Sequence, residues 1–468
     1  MNRLRHWPLT LVAVFVVTRV FNLFAWQHPS ASFVANDISY YGYHLYQLGL
    51  GATDSMVEYP MPALWILQAI YTLGGGWETW MPWFAGAMMI LDATVAASLY
   101  RRTSPWASAL WICFTGAMGA IVWFRFDLIP AALVAWGCAW AVSRPRLAGA
   151  LVGIGAAVKL WPALLAVPMS APSPLTGGGR RRLGGFLFAG LGLAAASLIT
   201  SGWTRSASPV TWQSERGLQI ESVPASPLMF LRTFTHDPSW PVALSQYNAM
   251  ELTGPGVNFL LHVATALTLG SFVLTGWLAW RLARCFDDDR GGFRVALLLV
   301  ILTVVLATIV ANKTLSPQYI TWLGGPVAAL WLSTPPPWLK RHAKVLAVGL
   351  IAVAGLTQYT YPWGTYGIMG IPQGSGFETS FLLLRNTLLM LGLGYATWLS
   401  WRATITARHR PRLGKLTRAG RADADSSHRG DRGSATARCL QLTTWKISVP
   451  TLGSSTRCAR HSTPTLIQ

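Results

Sequence analysis

Two carboxylates near the start of the chain lie where a side chain could accept a proton from a substrate. Asp37 follows the first long apolar segment, residues 7–26, which is the first predicted membrane span, and it stands in the aromatic run NDISYYGY, residues 36–43. A carboxylate beside aromatic rings at a water–lipid boundary can hold a pKa suited to taking a hydroxyl proton. Asp37 is therefore the candidate catalytic base, and capping of a helix over residues 38–48 is its alternative role. Glu58 and Tyr59, in the run EYPMP that follows, are candidates for binding substrate hydroxyl groups, although Glu58 could simply be solvated.

Three basic residues lie at the ends of apolar segments, in short turns on the same predicted side of the membrane as Asp37. They are Arg125, Lys159 and Lys313. The charge bias of membrane proteins disfavours cations on the external side, so their presence there needs a reason. A phosphate site at the bilayer surface is one reason. Side chains that extend from helix ends to water are the other.

Polar residues beside these cations extend the candidate site. Asp127 follows Arg125 in the run WFRFDLIP, where it could bind substrate, pair with Arg125 or cap a helix. Gln318 and Tyr319 follow Lys313 in the run NKTLSPQY and are candidate substrate ligands, with helix capping as the alternative for Gln318. No group of His, Cys, Asp or Glu has metal-ligand spacing, so the sequence predicts neither a metal site nor a cofactor.

The composition places these residues in a membrane protein. Of 468 residues, 52% are hydrophobic and 12% are charged, which is about half the charged fraction of a typical soluble domain. Long apolar runs and 24 tryptophans point the same way. A net charge of +20 could indicate nucleic-acid binding, but the basic residues concentrate in short loops and in the last segment of the chain. That distribution is the topological charge bias of membrane proteins and argues against a nucleic-acid partner.

The positions of Lys and Arg predict the topology. Residues 27–80 contain neither, as expected of an external loop, and a short apolar segment, Met61–Leu73, lies within them. If that segment crossed the membrane, the later basic clusters would face outwards. If it lies flat at the interface, all of these clusters are cytoplasmic, and we take this arrangement.

The predicted fold is an all-α polytopic membrane protein with about 12 transmembrane helices, an interfacial helix in the first external loop and both termini in the cytoplasm. A membrane domain spans residues 1–401, and a basic, disordered cytoplasmic tail spans 402–468. Two short arms, 147–158 and 161–169, meet at Lys159, and residues 201–255 form a long external loop. Arg19 and Asp92 are expected to form an ion pair within the membrane. Arg385 could reach the phosphate or pair elsewhere.

Several motifs, taken in order, resemble a known family. The acidic residue after the first helix, followed by EYPMP at the entry of a juxtamembrane helix, resembles the first external loop of GT-C-fold glycosyltransferases. The later runs FDLIP (126–130), AAVKLWP (156–162) and LSPQYITW (315–322) resemble the polyprenol-phosphate-mannose-dependent α-(1→2)-mannosyltransferases of actinobacteria. The resemblance extends over residues 7–401. The chain departs from the family where Met61 separates Pro60 from Pro62, since these two prolines are often adjacent, and the tail carries no resemblance.

The resemblance implies a GT-C-like bundle and a mechanism. The donor would be a polyprenyl-phosphate sugar in the outer leaflet of the plasma membrane, and the acceptor a glycolipid or glycan of the cell envelope. The family's catalytic aspartate corresponds to Asp37, which would deprotonate the acceptor hydroxyl for attack on the anomeric carbon with inversion. Lys159, Lys313 and Arg125 would stabilise the departing phosphate.

Other functions remain open on the sequence alone. A transporter or flippase for lipid-linked sugars or phosphate would also need broken helices and a basic site, although the sequence shows no internal symmetry. A non-catalytic scaffold would tolerate replacement of Asp37 and Lys313. Among transferases, the donor sugar could also be arabinose, glucose or galactosamine.

Overall fold

The computed structural model of the protein describes residues 7–52, 55–102, 104–285, 290–333 and 336–408. Most of this part of the chain is helical. In chain order the α-helices are α1 (Trp7–Trp26), α2 (Pro29–Ser32), α3 (Asn36–Gly49), α4 (Met61–Leu73), α5 (Trp80–Arg101), α6 (Pro105–Met118), α7 (Leu128–Trp140), α8 (Pro145–Val158), α9 (Ala166–Met169), α10 (Gly177–Glu215), α11 (Ser226–Phe234), α12 (Val257–Ala283), α13 (Arg290–Ala311), α14 (Gly324–Ala329), α15 (Pro337–Gln358), α16 (Thr365–Met369) and α17 (Gly376–Arg408). Turns of 3-10 helix cover Phe33–Ala35, Gly119–Val122, Trp161–Leu165, Pro317–Leu323 and Leu330–Leu332, and a π-helical turn covers Tyr359–Trp363.

Eight of the described helices are long and apolar enough to cross a membrane, by length and composition: α1, α5, α6 with the 3-10 turn after it, α10, α12, α13, α15 and α17. Three shorter apolar helices, α4, α7 and α8, accompany them. The prediction of an all-α polytopic membrane protein is confirmed. The number of crossings stays a prediction, because apolar helices shorter than about 17 residues can tilt, pair or lie flat.

Local sequence signals explain where several of these helices begin. Helix α6 starts at Pro105, whose missing N–H costs nothing in the first turn, and Ser104 caps it by accepting a hydrogen bond from the Ala107 N–H at 3.2 Å. Helices α8 and α15 also begin with a proline. The bounds of α1 and α4 coincide with the first predicted span and the predicted interfacial segment.

Helices α8 and α10 pack with their backbones in contact, because glycines lie at the crossing. A Cβ atom added at Gly149 would lie 1.8 Å from the carbonyl oxygen of Arg182, and one added at Gly185 would lie 2.0 Å from that of Arg146. Small residues at a membrane-helix interface permit this close approach and the dispersion contacts that come with it. The crossing fixes α8 against the part of α10 that precedes residue 191.

Helix α10 bends at Gly202, whose φ of 70° lies in the left-handed region that favours glycine. The segment after the bend, residues 203–215, lies over the loop before α4. Arg205 donates hydrogen bonds to the carbonyl oxygens of Tyr59 at 3.1 Å and Met56 at 3.0 Å, and the Ser208 hydroxyl donates to that of Val57 at 2.6 Å. We call this segment the upper arm of α10.

Residues 201–255 are therefore more regular than the long loop that the sequence predicted. The helix continues to Glu215, and a small antiparallel sheet follows, with β1 (Leu218–Gln219), β2 (Val242–Leu244) and β3 (Met250–Leu252) in the order β1-β3-β2. Leu252 pairs with Leu218 on one side and with Val242 on the other.

The predicted ion pair within the membrane is confirmed. Arg19 of α1 lies 2.7 Å from Asp92 of α5, and both side chains are buried. Asp92 also accepts a hydrogen bond from the Trp111 indole at 2.8 Å, and Arg19 donates to the Ile112 carbonyl oxygen at 2.9 Å. Charges at this depth persist only when paired and hydrogen-bonded, so the cluster joins α1, α5 and α6.

The predicted disordered tail, 402–468, lies mostly outside the described residues. Its first seven residues, 402–408, complete helix α17, and Ala403 and Ala407 are buried.

Candidate functional site

Asp37 lies in the first turn of α3 and does not cap it. The N-cap position belongs to Ala35, with no side-chain cap. The Asp37 carboxylate instead lies with Oδ2 2.8 Å from Nε of Arg125, and 31% of its side chain is exposed. Among the described residues, no hydrogen bond engages its second oxygen, Oδ1, so that oxygen is available to a substrate.

Arg125 lies behind Asp37 rather than on a cavity surface. Only 4% of its side chain is exposed. Its Nη1 donates to the carbonyl oxygens of Val34 at 2.6 Å and Phe124 at 3.1 Å, and its Nη2 donates to the Tyr361 hydroxyl. The expectation that Arg125 contacts a donor phosphate therefore does not fit this geometry, because its donors already have partners within the protein.

The surroundings of Asp37 shift its pKa. Burial raises the pKa of the carboxyl group because a charge is less well solvated there, and the Arg125 guanidinium opposes the rise by favouring the charged form. Burial is the larger influence, so the net change is upwards. A raised pKa makes the carboxylate a stronger base once it is ionised.

Lys159 forms the second ion pair of the site. Helix α8 ends at Val158, and the extended backbone of Lys159 separates it from the 3-10 turn that follows, as the predicted break requires. The ammonium group lies 2.7 Å from Oδ2 of Asp127, and Oδ1 of Asp127 accepts a hydrogen bond from the Trp322 indole at 2.8 Å. Asp127 is buried and pairs with Lys159, not with Arg125 as one sequence interpretation had it.

A cavity of about 360 Å³ brings most of the predicted residues together. We call it the polar cavity. Its lining includes six residues chosen from the sequence: Asp37, Glu58, Tyr59, Lys159, Gln318 and Tyr319. The chain thus gathers residues from α3, the loop before α4, the break after α8 and the 3-10 turn after α13.

A second cavity, of about 460 Å³, adjoins the polar cavity. It lies between the upper arm of α10, α12, α13 and the 3-10 turn after α8, and the apolar side chains Ala264 and Phe272 of α12 line it. We call it the membrane cavity. Lys159, Tyr319 and the carboxylate Glu58 are among the residues that line both cavities, so the two meet beside Lys159.

Lys313 lines the membrane cavity near this junction. Its ammonium group donates to the carbonyl oxygens of Ser214 at 2.9 Å and Arg216 at 2.5 Å, which ties the end of α13 to the end of α10. Burial lowers its pKa, and Glu251 opposes that change. Asn312 accepts a hydrogen bond from the Thr314 N–H at 2.8 Å and so caps the turn.

Glu58 is held by a tyrosine that the sequence analysis did not select. The Tyr40 hydroxyl donates to Oε1 of Glu58 at 2.6 Å. Burial, and then the Glu58 charge, raise the pKa of Tyr40, so the phenol stays protonated and keeps donating. Beside Tyr40, the hydroxyl groups of Tyr41 and Tyr59 form a hydrogen bond of 3.0 Å with each other. Tyr40 lies three residues after Asp37, so helical spacing places both on the same face of α3. This spacing is the sequence signal that could have identified Tyr40 as a site residue.

Arg216 is the other residue that the sequence analysis missed. It follows the last residue of α10 and lines the polar cavity. Its Nη2 donates to Oε1 of Gln219 over a long 3.4 Å, and its Nε has no hydrogen-bond partner among the described residues. Unlike Arg125 and Lys159, it faces the cavity without a carboxylate partner in the described structure.

Arg385 pairs elsewhere, which resolves the alternative that the sequence left open. It is buried, lies 2.8 Å from Oε2 of Glu221, and shares that partner's carbonyl oxygen with Asn386. Within the described ranges, no group of three His, Cys, Asp or Glu side chains is placed to hold a metal ion.

Comparison with known proteins assigns the chain to a family. No curated protein and no solved structure gives a significant match. The sequence pattern of Glycosyltransferase family 87 matches residues 58–317. This region contains Glu58, Arg125, Lys159 and Lys313, while Asp37 precedes it. Because the match covers more than half of the chain, this membrane protein belongs to Glycosyltransferase family 87.

Proposed function

We propose that the protein transfers a hexose, mannose being the first candidate, from a polyprenyl-phosphate donor to a glycolipid or glycan acceptor. The proposal adds a donor, a sugar and a mechanism to the glycosyltransferase assignment. The observation that carries it is the meeting of a polar cavity, which holds an accessible carboxylate, with an apolar cavity between membrane helices at a lysine. Family membership favours a transferase over the transporter and scaffold alternatives.

In this proposal Asp37 is the general base. An acceptor hydroxyl in the polar cavity gives its proton to Oδ1, while Arg125 holds Oδ2 and fixes the carboxylate. The acceptor oxygen then attacks the anomeric carbon on the face opposite the phosphate. The new glycosidic bond forms as the bond from the anomeric carbon to the phosphate oxygen breaks, and its electron pair leaves with the phosphate. One displacement inverts the configuration.

The leaving phosphate needs cations more than it needs a proton, because it departs as a stable anion. Lys159 lies at the junction of the cavities, where the phosphate of a lipid-linked sugar would sit. Arg216 faces the same space from the polar side and Lys313 from the membrane side. Fixed positive groups around a developing negative charge lower the barrier without reorganising.

The membrane cavity suits the polyprenyl chain of the donor. Leu164 of the turn after α8 and Ala264 and Phe272 of α12 give it an apolar wall, and the hydroxyl side chains Thr265, Thr268 and Ser271 of α12 line it beside them. The chain could enter from the bilayer while the sugar reaches past Lys159 to Glu58, Gln318 and Tyr319. We infer from the charge bias of the loops that this end of the protein faces outwards across the plasma membrane.

The choice of mannose rests on the motif resemblance to polyprenol-phosphate-mannose-dependent transferases. Transfer of labelled mannose from polyprenyl-phosphate-mannose to a mannosylated lipid tests it, with purified protein in detergent and Asp37→Asn beside the wild type. We expect transfer by the wild type and a loss of about 10²-fold or more in the variant, the scale of general-base catalysis.

The controls separate the parts of the proposal. Undiminished transfer by Asp37→Asn would move the base to Glu58 or Asp127. Transfer only from donors carrying arabinose, glucose or galactosamine would overturn mannose and keep the mechanism. Failure with every polyprenyl-phosphate sugar would overturn the proposed donor class.

A further inference from the structure

A groove lies at the N-terminal ends of α8 and α10, whereas the polar cavity lies at their C-terminal ends. Its volume is about 470 Å³. Three arginines, Arg146, Arg180 and Arg181, stand around it, and Leu147 and Phe188 form its apolar wall. We call it the arginine groove. It is separate from the site of transfer, since α8 begins at Pro145 and reaches Lys159 only after its last residue.

Glycines shape the floor of the arginine groove. Gly184 and Gly185 line it on α10. Gly185 meets the backbone of α8, and a Cβ atom there would lie 2.0 Å from the Arg146 carbonyl oxygen. A Cβ atom added at Gly184 meets nothing within 4 Å, so the groove is open at this point. The floor is therefore rigid on one side and accessible on the other.

The arginines of the groove differ from their neighbour in how their charges are satisfied. Arg182 is buried, and its side chain donates to the carbonyl oxygens of Met169 and Ala141 at 2.8 and 2.9 Å. Arg146, Arg180 and Arg181 are exposed, and none takes part in the ion pairs formed among the described residues. Three guanidinium groups thus surround one open space without a described carboxylate partner.

The apolar wall of the arginine groove continues onto a lipid-facing surface. Phe188 is 84% exposed, and almost none of the apolar part of α10 is buried within the protein. In a membrane such a surface contacts acyl chains. The groove therefore offers planar cations that bind phosphate in bidentate fashion at one end, and a place for a hydrocarbon chain at the other.

We propose that the arginine groove binds an anionic phospholipid, with the phosphate between the arginines and an acyl chain along Phe188 and Leu147. Basic pockets between transmembrane helices are suited to anionic lipid headgroups. A water-soluble phosphate compound would use the arginines but leave the apolar wall without a partner. The proposal does not depend on the proposed function, and under the predicted topology the lipid belongs to the cytoplasmic leaflet.

Native mass spectrometry of the purified full-length protein, titrated with cardiolipin or with phosphatidylcholine, tests the proposal. The groove variant carries Arg146→Ala, Arg180→Ala and Arg181→Ala. The matched control carries Lys340→Ala, Arg341→Ala and Lys344→Ala, which removes the same charge from exposed positions on α15. Each arginine near an anionic lipid should raise the affinity by somewhat less than about tenfold. Because the groove variant lacks three arginines, we expect it to bind cardiolipin roughly 100-fold more weakly. The control should bind within about threefold of the wild type.

A second variant keeps every charge and fills the space. Gly184→Phe places a ring in the open part of the arginine groove, and we expect it to weaken cardiolipin binding by about tenfold or more. It also keeps the proposal testable where the triple variant fails to fold. Equal weakening in the groove variant and the α15 control, or wild-type binding by Gly184→Phe, would overturn the proposal in favour of diffuse attraction to basic residues. Binding of cardiolipin that inorganic pyrophosphate displaces fully would assign the groove to soluble phosphates instead.

Discussion

Cationic side chains lie near both ends of the packed helices α8 and α10, but they differ in whether a carboxylate pairs with them. Around the polar cavity, Arg125 pairs with Asp37 and Lys159 with Asp127, each within 2.8 Å. Around the arginine groove, three guanidinium groups stand exposed without a described carboxylate. A buried charge needs a partner within the fold because it has lost its water, whereas a charge at the level of the lipid headgroups can bind a ligand instead. Pairing therefore marks a cation that positions other groups, and exposure marks a cation that is free to bind. Lys159 is paired yet 20% exposed, so it is placed for both.

The largest effect is expected where a paired cation also meets the substrate. Lys159→Met should lower kcat for sugar transfer by about 10²- to 10³-fold, because the departing phosphate loses a fixed positive charge at the junction of the cavities. Lys159→Arg keeps a cation and should retain more of the activity. Steady-state kinetics with polyprenyl-phosphate-mannose measures both variants. A Lys159→Met enzyme with the kcat of the wild type would remove Lys159 from the phosphate site.

Substitutions at the polar cavity and at the arginine groove should also differ in their effect on the free energy of unfolding. Asp127→Ala takes away the buried partner of Lys159 and of the Trp322 indole, and should destabilise the protein by about 2 kcal/mol, less than for a fully buried pair because Lys159 is 20% exposed. Arg146→Ala, at the arginine groove, should change stability by no more than about 0.5 kcal/mol. Thermal unfolding in one detergent, without added anionic lipid, compares them. Equal losses would contradict the distinction between positioning and binding cations.

Arg216 should behave as a binding cation although it lies at the polar cavity, where the other cations are paired. Arg216→Ala is expected to raise the KM for the donor by about tenfold, the effect of losing one charge-assisted hydrogen bond, with little change in stability. Arg205→Ala provides the contrast, because Arg205 holds backbone carbonyl oxygens of the loop before α4 and should lower stability instead. A donor KM that is unchanged in Arg216→Ala would show that this arginine does not contact the phosphate.

The smallest effect concerns pH. In the proposed mechanism transfer requires Asp37 to be ionised, so activity is expected to fall as the pH drops through the pKa of its carboxyl group. Burial raises that pKa and Arg125 opposes the rise. Arg125→Gln should therefore raise the pKa further and move the acid limb of the profile of kcat/KM against pH to higher pH. A limb that stays in place or moves to lower pH would show that Arg125 does not act on the base.

The sequence was most informative where a pattern acts locally. Hydropathy predicted α1 and α4 with their bounds, and two charges within apolar helices predicted the contact between Arg19 and Asp92. It was least informative where a charged residue had several possible partners. Arg125 and Asp127 are two residues apart in the chain and both precede helix α7, yet Arg125 pairs with Asp37 and Asp127 pairs with Lys159.

Residues without a local pattern were missed for the same reason. Arg216 stands in a stretch that reads as a loop, because the bend in α10 and the short strands after it leave little periodicity. The hydrogen bonds of the upper arm, together with those from Lys313, hold it over the polar cavity.

The bend at Gly202 has a mechanical consequence. The upper arm holds the loop that carries Glu58 through Arg205 and Ser208, and its residue Gln213 lines both cavities. Any rotation about this glycine would displace a wall of each cavity and the loop between them together. The polar cavity and the membrane cavity therefore share a wall that moves with this glycine. A rotation there cannot widen or narrow one cavity while the other keeps its shape.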